Sequence, residues 1–96
     1  MIEGRVKVTN RLGLHARAAA LLVRTANAYK SALRLERVDG TAAADARSIL
    51  SVLMLAASRG TELAIVADGA DEREAMSAVC SLFAGGFGEN EGFEQA

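Results

Sequence analysis

The chain has 96 residues, of which 51% are hydrophobic and 4% aromatic, with no Trp and no Pro. That length fits one domain, whose core can be built from aliphatic side chains and alanine without metal or disulfide support. A formal charge of −1, from 11 basic and 12 acidic residues, argues against a general nucleic-acid binder, and so few aromatics argue against a base-stacking platform.

"RVKVT", residues 5–9, alternates, with Val6 and Val8 on one side and Arg5, Lys7 and Thr9 on the other. This predicts a half-buried strand. "NRLG" breaks the pattern as a loop. From Ala16 to about Ala28 the composition favours helix, led by alanine and leucine. Ala18, Leu22, Ala26 and Tyr29 form one apolar face, with Arg17 and Arg24 off it. His15, the single histidine, then stands at the helix start.

"ALRLERV", residues 32–38, predicts a second strand with Leu33 and Leu35 inward, and Asp39-Gly40 is a hairpin-turn signal. "TAAAD" is a weak partner strand. Ser48 can cap the segment that follows, its hydroxyl accepting from a free backbone N–H. "ILSVLMLAA", residues 49–57, is apolar almost all round. Either it is buried on every side or part of it is an exposed contact surface, and so short a helix in a small domain favours the second; Gly60 ends it, and Val52 and Met54 are the favoured core candidates. "TELAIVA", residues 61–67, is a fourth strand, followed by an Asp68-Gly69 turn. Asp71 and Glu74 have the spacing of a capping box for a last helix, whose Met76, Val79, Cys80 and Phe83 share a face. The Gly-rich acidic tail, residues 85–96, is expected to fray, leaving a domain over residues 1–84.

These elements predict an α+β fold in the order β-α-β-β-α-β-α: a four-stranded antiparallel sheet with three helices on one face, an open-faced β-sandwich. One cysteine excludes an internal disulfide, and one His with one Cys cannot assemble a Cys/His metal cluster. Neither a secretory apolar run nor a stretch of transmembrane length is present in the sequence. A cytoplasmic monomer without metal, cofactor or membrane insertion is the expectation.

The chemistry points to His15. A helix N-terminus presents unpaired N–H groups and a partial positive charge, which attract phosphate. An imidazole titrates near neutral pH, so a neutral ring with a nucleophilic nitrogen is available there. Arg17 adds a fixed positive charge and planar donors suited to phosphate oxygens. Gly13 lets the backbone turn sharply or approach closely. No neighbouring carboxylate or hydroxyl builds a hydrolytic triad, so the site favours holding phosphate over cleaving a bound substrate. The plainer alternative is that His15 merely caps the helix.

"NRLGLHARAAALLVRTANAY" resembles the active-site stretch of HPr, the histidine-containing phosphocarrier family of the bacterial phosphotransferase system. "RSILSVLMLAASRGTEL", residues 47–63, resembles the family's second signature, and "VADGADEREA", residues 66–75, its last turn and helix. The resemblance covers residues 5 to about 84. It implies the HPr-like fold and a carrier that accepts a phosphoryl group from enzyme I and passes it to EIIA-type acceptors. By matching position, it implies phosphorylation of His15 on Nδ1 and stabilisation of the phosphoryl group by Arg17. Ser48 matches the regulatory serine, the target of HPr kinase/phosphorylase. Ile49, Leu50 and Leu53 match the partner-facing surface.

Some positions depart from the family. Ala18 stands where proline is usual, Arg47 where lysine precedes the serine, and Ser51 where glycine is common. Two single-residue insertions between Leu35 and Ser48 leave the hairpin register open. The sugar and nitrogen branches both remain open. A rival reading is a regulatory binding protein on the same fold, acting through Ser48 and an apolar docking patch. A third is an interaction module without phosphotransfer. A conventional enzyme is disfavoured because no paired acid and base are apparent.

Overall fold

The computed structural model of the chain describes residues 1–89. The strands are β1 (Ile2–Lys7), β2 (Ala32–Arg37), β3 (Ala43–Asp45) and β4 (Glu62–Asp68); the helices are α1 (Ala16–Asn27), α2 (Ile49–Met54) and α3 (Glu72–Ala84). They follow one another as β-α-β-β-α-β-α. The sheet order is β1-β4-β2-β3, with every neighbouring pair antiparallel. β1 and β2 therefore run parallel to each other on either side of β4, joined by a crossover through α1. β3 and β4 flank β2 in the same way and are joined through α2.

Alternation in the sequence decides which face of the sheet is covered. Leu33 and Leu35 of β2 are buried while Arg34 and Glu36 are exposed. β4 sits second in the order and is paired on both edges, and its run Leu63, Ala64 and Ile65 is buried throughout, as a central strand requires. The helices close over the apolar face. Ala18, Ala19, Leu22 and Ala26 of α1 and Ala75, Val79 and Phe83 of α3 enter the core, with Tyr29, Met76 and Cys80 packed at its margin.

Several expectations change. β1 begins at Ile2, three residues before the predicted start, because β4 is long enough to pair Ile2 with Ala67. The hairpin register opposes Arg34 to Asp45, Leu35 to Ala44 and Glu36 to Ala43, and Arg37 N donates to Ala42 O at 2.9 Å to close the turn. α2 is shorter than predicted. It stops at Met54, and Gly60 lies in a later turn. Ala56 takes a positive φ of 52°, and the Arg37 guanidinium donates to the carbonyls of Leu55 (3.0 Å) and Ala56 (3.2 Å). A cationic side chain thus satisfies the helix C-terminus. Val52 is fully buried as predicted, but Met54 is 73% exposed, since six residues turn only one side chain inward.

The capping box does not form. Asp71 caps nothing in its own helix. Its carboxylate accepts from Lys30 N (2.9 Å), Ser31 N (2.9 Å) and Ser31 Oγ (2.5 Å), tying α3 to the loop after α1. These bonds hold the Asp71 carboxyl below its ordinary value. Arg47 reaches the same loop, donating to the carbonyls of Tyr29 and Ser31, and so steadies the chain just ahead of Ser48.

The packed chain also continues past residue 84, where the sequence placed the domain boundary. Residues Gly86–Gly88 form a single left-handed turn, with positive φ at all three. Phe87 is 5% exposed and meets the Phe83 ring edge-on, centroids 4.9 Å apart at 76°. The rest of the expected fraying tail, 90–96, lies outside the described residues.

Candidate functional site

The loop between β1 and α1 is held by its own backbone. Gly13 N donates to Asn10 O (3.1 Å), and Leu14 N donates to Ala57 O (2.9 Å). Gly13 has φ +68°, and a Cβ there would lie 2.5 Å from Ala57 O and 2.9 Å from the Ser58 Cα. Glycine is therefore required on two counts, handedness and space. Asn10 is 3% exposed and donates from Nδ2 to Gly13 O at 2.7 Å. The pinned loop delivers His15 as the N-cap of α1, with extended backbone at φ −78° and ψ −177°. Its carbonyl accepts the first helical bond, from Ala19 N at 2.8 Å.

Each imidazole nitrogen faces a different partner. Nδ1 accepts from the backbone N–H of Arg17 at 3.3 Å. Nε2 lies 2.5 Å from Glu89 Oε2. An ionised carboxylate can only accept, so the hydrogen-bond network assigns the proton to Nε2 and leaves a lone pair on Nδ1. That lone pair points at the N-terminal turn of α1, which contains no acidic residue. Arg17 is exposed beside it. Arg11, Leu12, His15, Arg17 and Glu89 together line one open cleft.

Glu89 was not foreseen. It stands 74 residues from His15, in a stretch whose glycines and acidic residues read as frayed. The reading that no carboxylate neighbours His15 holds along the chain but not in space. The usable signal was Phe87, a large apolar residue bracketed by glycines in an acidic segment. Burial alone would raise the Glu89 carboxyl, but bonds from Asn10 and His15 and the charge of Arg17 outweigh it and hold it below its ordinary value.

Ser48 is the N-cap of α2, its Oγ accepting from Ser51 N at 3.2 Å. On that helix Ile49, Leu50, Leu53 and Met54 are exposed, and Leu12 is exposed in the His15 cleft. Cys80 is half-buried, and that burial pushes its thiol upward, away from a reactive thiolate. Among the described residues, no group of three or more His, Cys, Asp or Glu could hold a metal. Among the same residues, no helix is long and apolar enough to cross a membrane.

Known proteins resemble the chain in sequence and in fold. The family described as "PTS HPr component phosphorylation site" matches residues 2–85. The chain is 41% identical to phosphocarrier protein HPr of Neisseria meningitidis over 95% of its length and 100% of that protein. It is 36% identical to phosphocarrier protein NPr of Escherichia coli, covering 93% of this chain and 98% of that one. The crystal structure of HPr from Thermoanaerobacter tengcongensis superposes with a TM-score of 0.87 at 37% identity, covering 94% of this chain and 99% of the other. Fold and sequence converge on one assignment: the chain belongs to the HPr phosphocarrier family of the phosphotransferase system.

Proposed function

We propose that His15 is the phosphorylated residue of this carrier, accepting on Nδ1 from phosphorylated enzyme I and donating to an EIIA-type protein. One observation carries the reading: the unprotonated Nδ1 faces the N-terminus of α1 beside Arg17. The Nδ1 lone pair forms the N–P bond while the donor's bond to phosphorus breaks and its electron pair stays with the donor. The N–H groups of the first turn and the Arg17 guanidinium meet the phosphoryl oxygens. Catalysis of this kind rests on positioning and charge stabilisation, which a small domain with an open cleft can supply. A shallow site also lets a partner's active centre reach the same atom.

The docking surface in this account is the exposed apolar patch of Ile49, Leu50 and Leu53, with Met54 added by its exposure. Such a patch suits a monomer that binds several partners in turn. Ser48 is the proposed regulatory position. Phosphate on its hydroxyl would add negative charge at the edge of the patch and repel an acidic partner surface. HPr kinase/phosphorylase is the enzyme class that would place it. The second reading, a regulatory binding protein working mainly through Ser48, rests on the same juxtaposition of Ser48 and the patch.

Passage of label tests the function. Phosphoryl groups loaded from labelled phosphoenolpyruvate through enzyme I are chased with EIIA proteins of the sugar and nitrogen branches. Label leaving His15 for either acceptor identifies the branch and supports the carrier. Label that loads and never leaves favours the regulatory reading.

A further inference from the structure

We infer that Glu89 is a positioning residue for phosphotransfer: its carboxylate holds the His15 ring with the proton on Nε2, leaving Nδ1 as the acceptor. The inference rests on the reading of His15 as the carrier site.

Three features separate this contact from a casual surface ion pair. First, both carboxylate oxygens are used. Oε2 pairs with His15 Nε2 at 2.5 Å, and Oε1 accepts from Asn10 Nδ2 at 3.0 Å. The same Asn10 amide group donates to Gly13 O at 2.7 Å. A buried amide thus fixes the carboxylate to the very loop that presents His15. Second, the pair is sheltered, with side-chain exposures of 28% for His15 and 14% for Glu89.

Third, the backbone is built to bring Glu89 back. Gly86, Phe87 and Gly88 have φ of +61°, +55° and +76°. Glycine accepts such angles; phenylalanine does so rarely and with strain. The turn is closed by Gly88 N to Gly85 O (3.1 Å) and Glu89 N to Gly86 O (2.9 Å). The buried Phe87 ring, packed on Phe83, anchors it. A left-handed turn with a strained aromatic is what reverses the chain from the end of α3 toward His15.

The chemistry explains what such a contact supplies. When the phosphoryl group arrives, Nδ1 forms the bond to phosphorus and no proton has to leave the ring, because the single N–H is on Nε2. The phosphorylated ring carries a positive charge opposite the phosphoryl group, and the Glu89 carboxylate faces that charge at Nε2–H. When the group departs, the N–P electron pair returns to Nδ1 and the ring is again neutral with Nε2–H. Other charges near the pair are Arg17 on α1 and Arg11 in the loop, which line the same cleft. Arg59 lines the groove on the other side of Glu89.

The test compares the full-length parent with Glu89→Gln and Phe87→Ala. The first keeps size and removes charge. The second keeps the carboxylate and removes the anchor of its turn. Two-bond ¹H–¹⁵N correlation of the imidazole reports the tautomer in the unphosphorylated proteins, and quenched-flow with enzyme I reports the loading rate. The parent is expected to show one neutral tautomer with Nε2–H. Both variants should show a mixture and load about tenfold more slowly, well short of the loss when an orienting Asp is replaced in a hydrolase triad. A parent that loads, with Glu89→Gln unchanged in tautomer or in rate, overturns the role of Glu89 alone. A parent that does not load overturns the carrier reading, and this inference with it.

Discussion

Gly13 lies so close to Ala57 that a Cβ on it would sit 2.5 Å from the Ala57 carbonyl oxygen. Next along the chain, Leu14 N donates to that same oxygen. The approach locks the loop before α1 onto the segment after α2, and His15 inherits its position from that lock. Gly13→Ala is expected to cost about 2–3 kcal/mol, from the positive φ and the clash together. Urea unfolding measures the loss. Loading by enzyme I should slow as well, because the backbone that sets His15 must move.

Ser48 caps the start of α2, its side chain accepting from Ser51 N. Ser48→Ala should therefore lower stability by about 1 kcal/mol. Ser48→Asp keeps a capping oxygen and adds negative charge. It should leave stability within about 0.5 kcal/mol of the parent while weakening binding to enzyme I, as titration calorimetry would show.

Exposure separates docking from packing on α2. Leu50 is 66% exposed and Val52 is 0% exposed. Leu50→Ser should change unfolding free energy by less than about 0.5 kcal/mol and weaken partner binding by more than about 1 kcal/mol. Val52→Ala should do the reverse, losing about 2 kcal/mol of stability through its cavity, with binding of the folded fraction little changed.

Acid should loosen the joint between α3 and the loop after α1. The Asp71 carboxyl is lowered from its ordinary 3.8, first by the Ser31 hydroxyl and then by the Lys30 backbone N–H. A carboxyl lowered by folding stabilises the native state fully above its unfolded value, and that contribution is lost as pH falls through the folded value. The parent should thus lose stability below about pH 4 more steeply than Asp71→Asn, which has no proton to take up there. Thermal unfolding of both proteins across that range checks the sign.

The strands and the two long helices were legible because each obeys one period over several turns or pleats. Leu33 and Leu35 alternate with charges, and Ala18, Leu22 and Ala26 repeat at four. α2 was harder. Six residues contain too few repeats to set a phase, so Met54 was placed inward when it faces out. Asp71 had the spacing of a capping box, but its carboxylate is satisfied better by the Lys30 and Ser31 donors, a contact that exists only once the chain has folded. At the site, His15, Gly13 and Arg17 lie within five residues and could be read together. Glu89 could not, because its partner is brought to it by the sheet, by α3 and by a turn whose geometry depends on the burial of Phe87.

The most direct test is the intact mass of the protein after incubation with phosphoenolpyruvate and a cognate enzyme I, beside a folded His15→Ala control. The account predicts one acid-labile phosphoryl adduct on the parent and none on the control. No adduct on the folded parent, or the same adduct on His15→Ala, would contradict it.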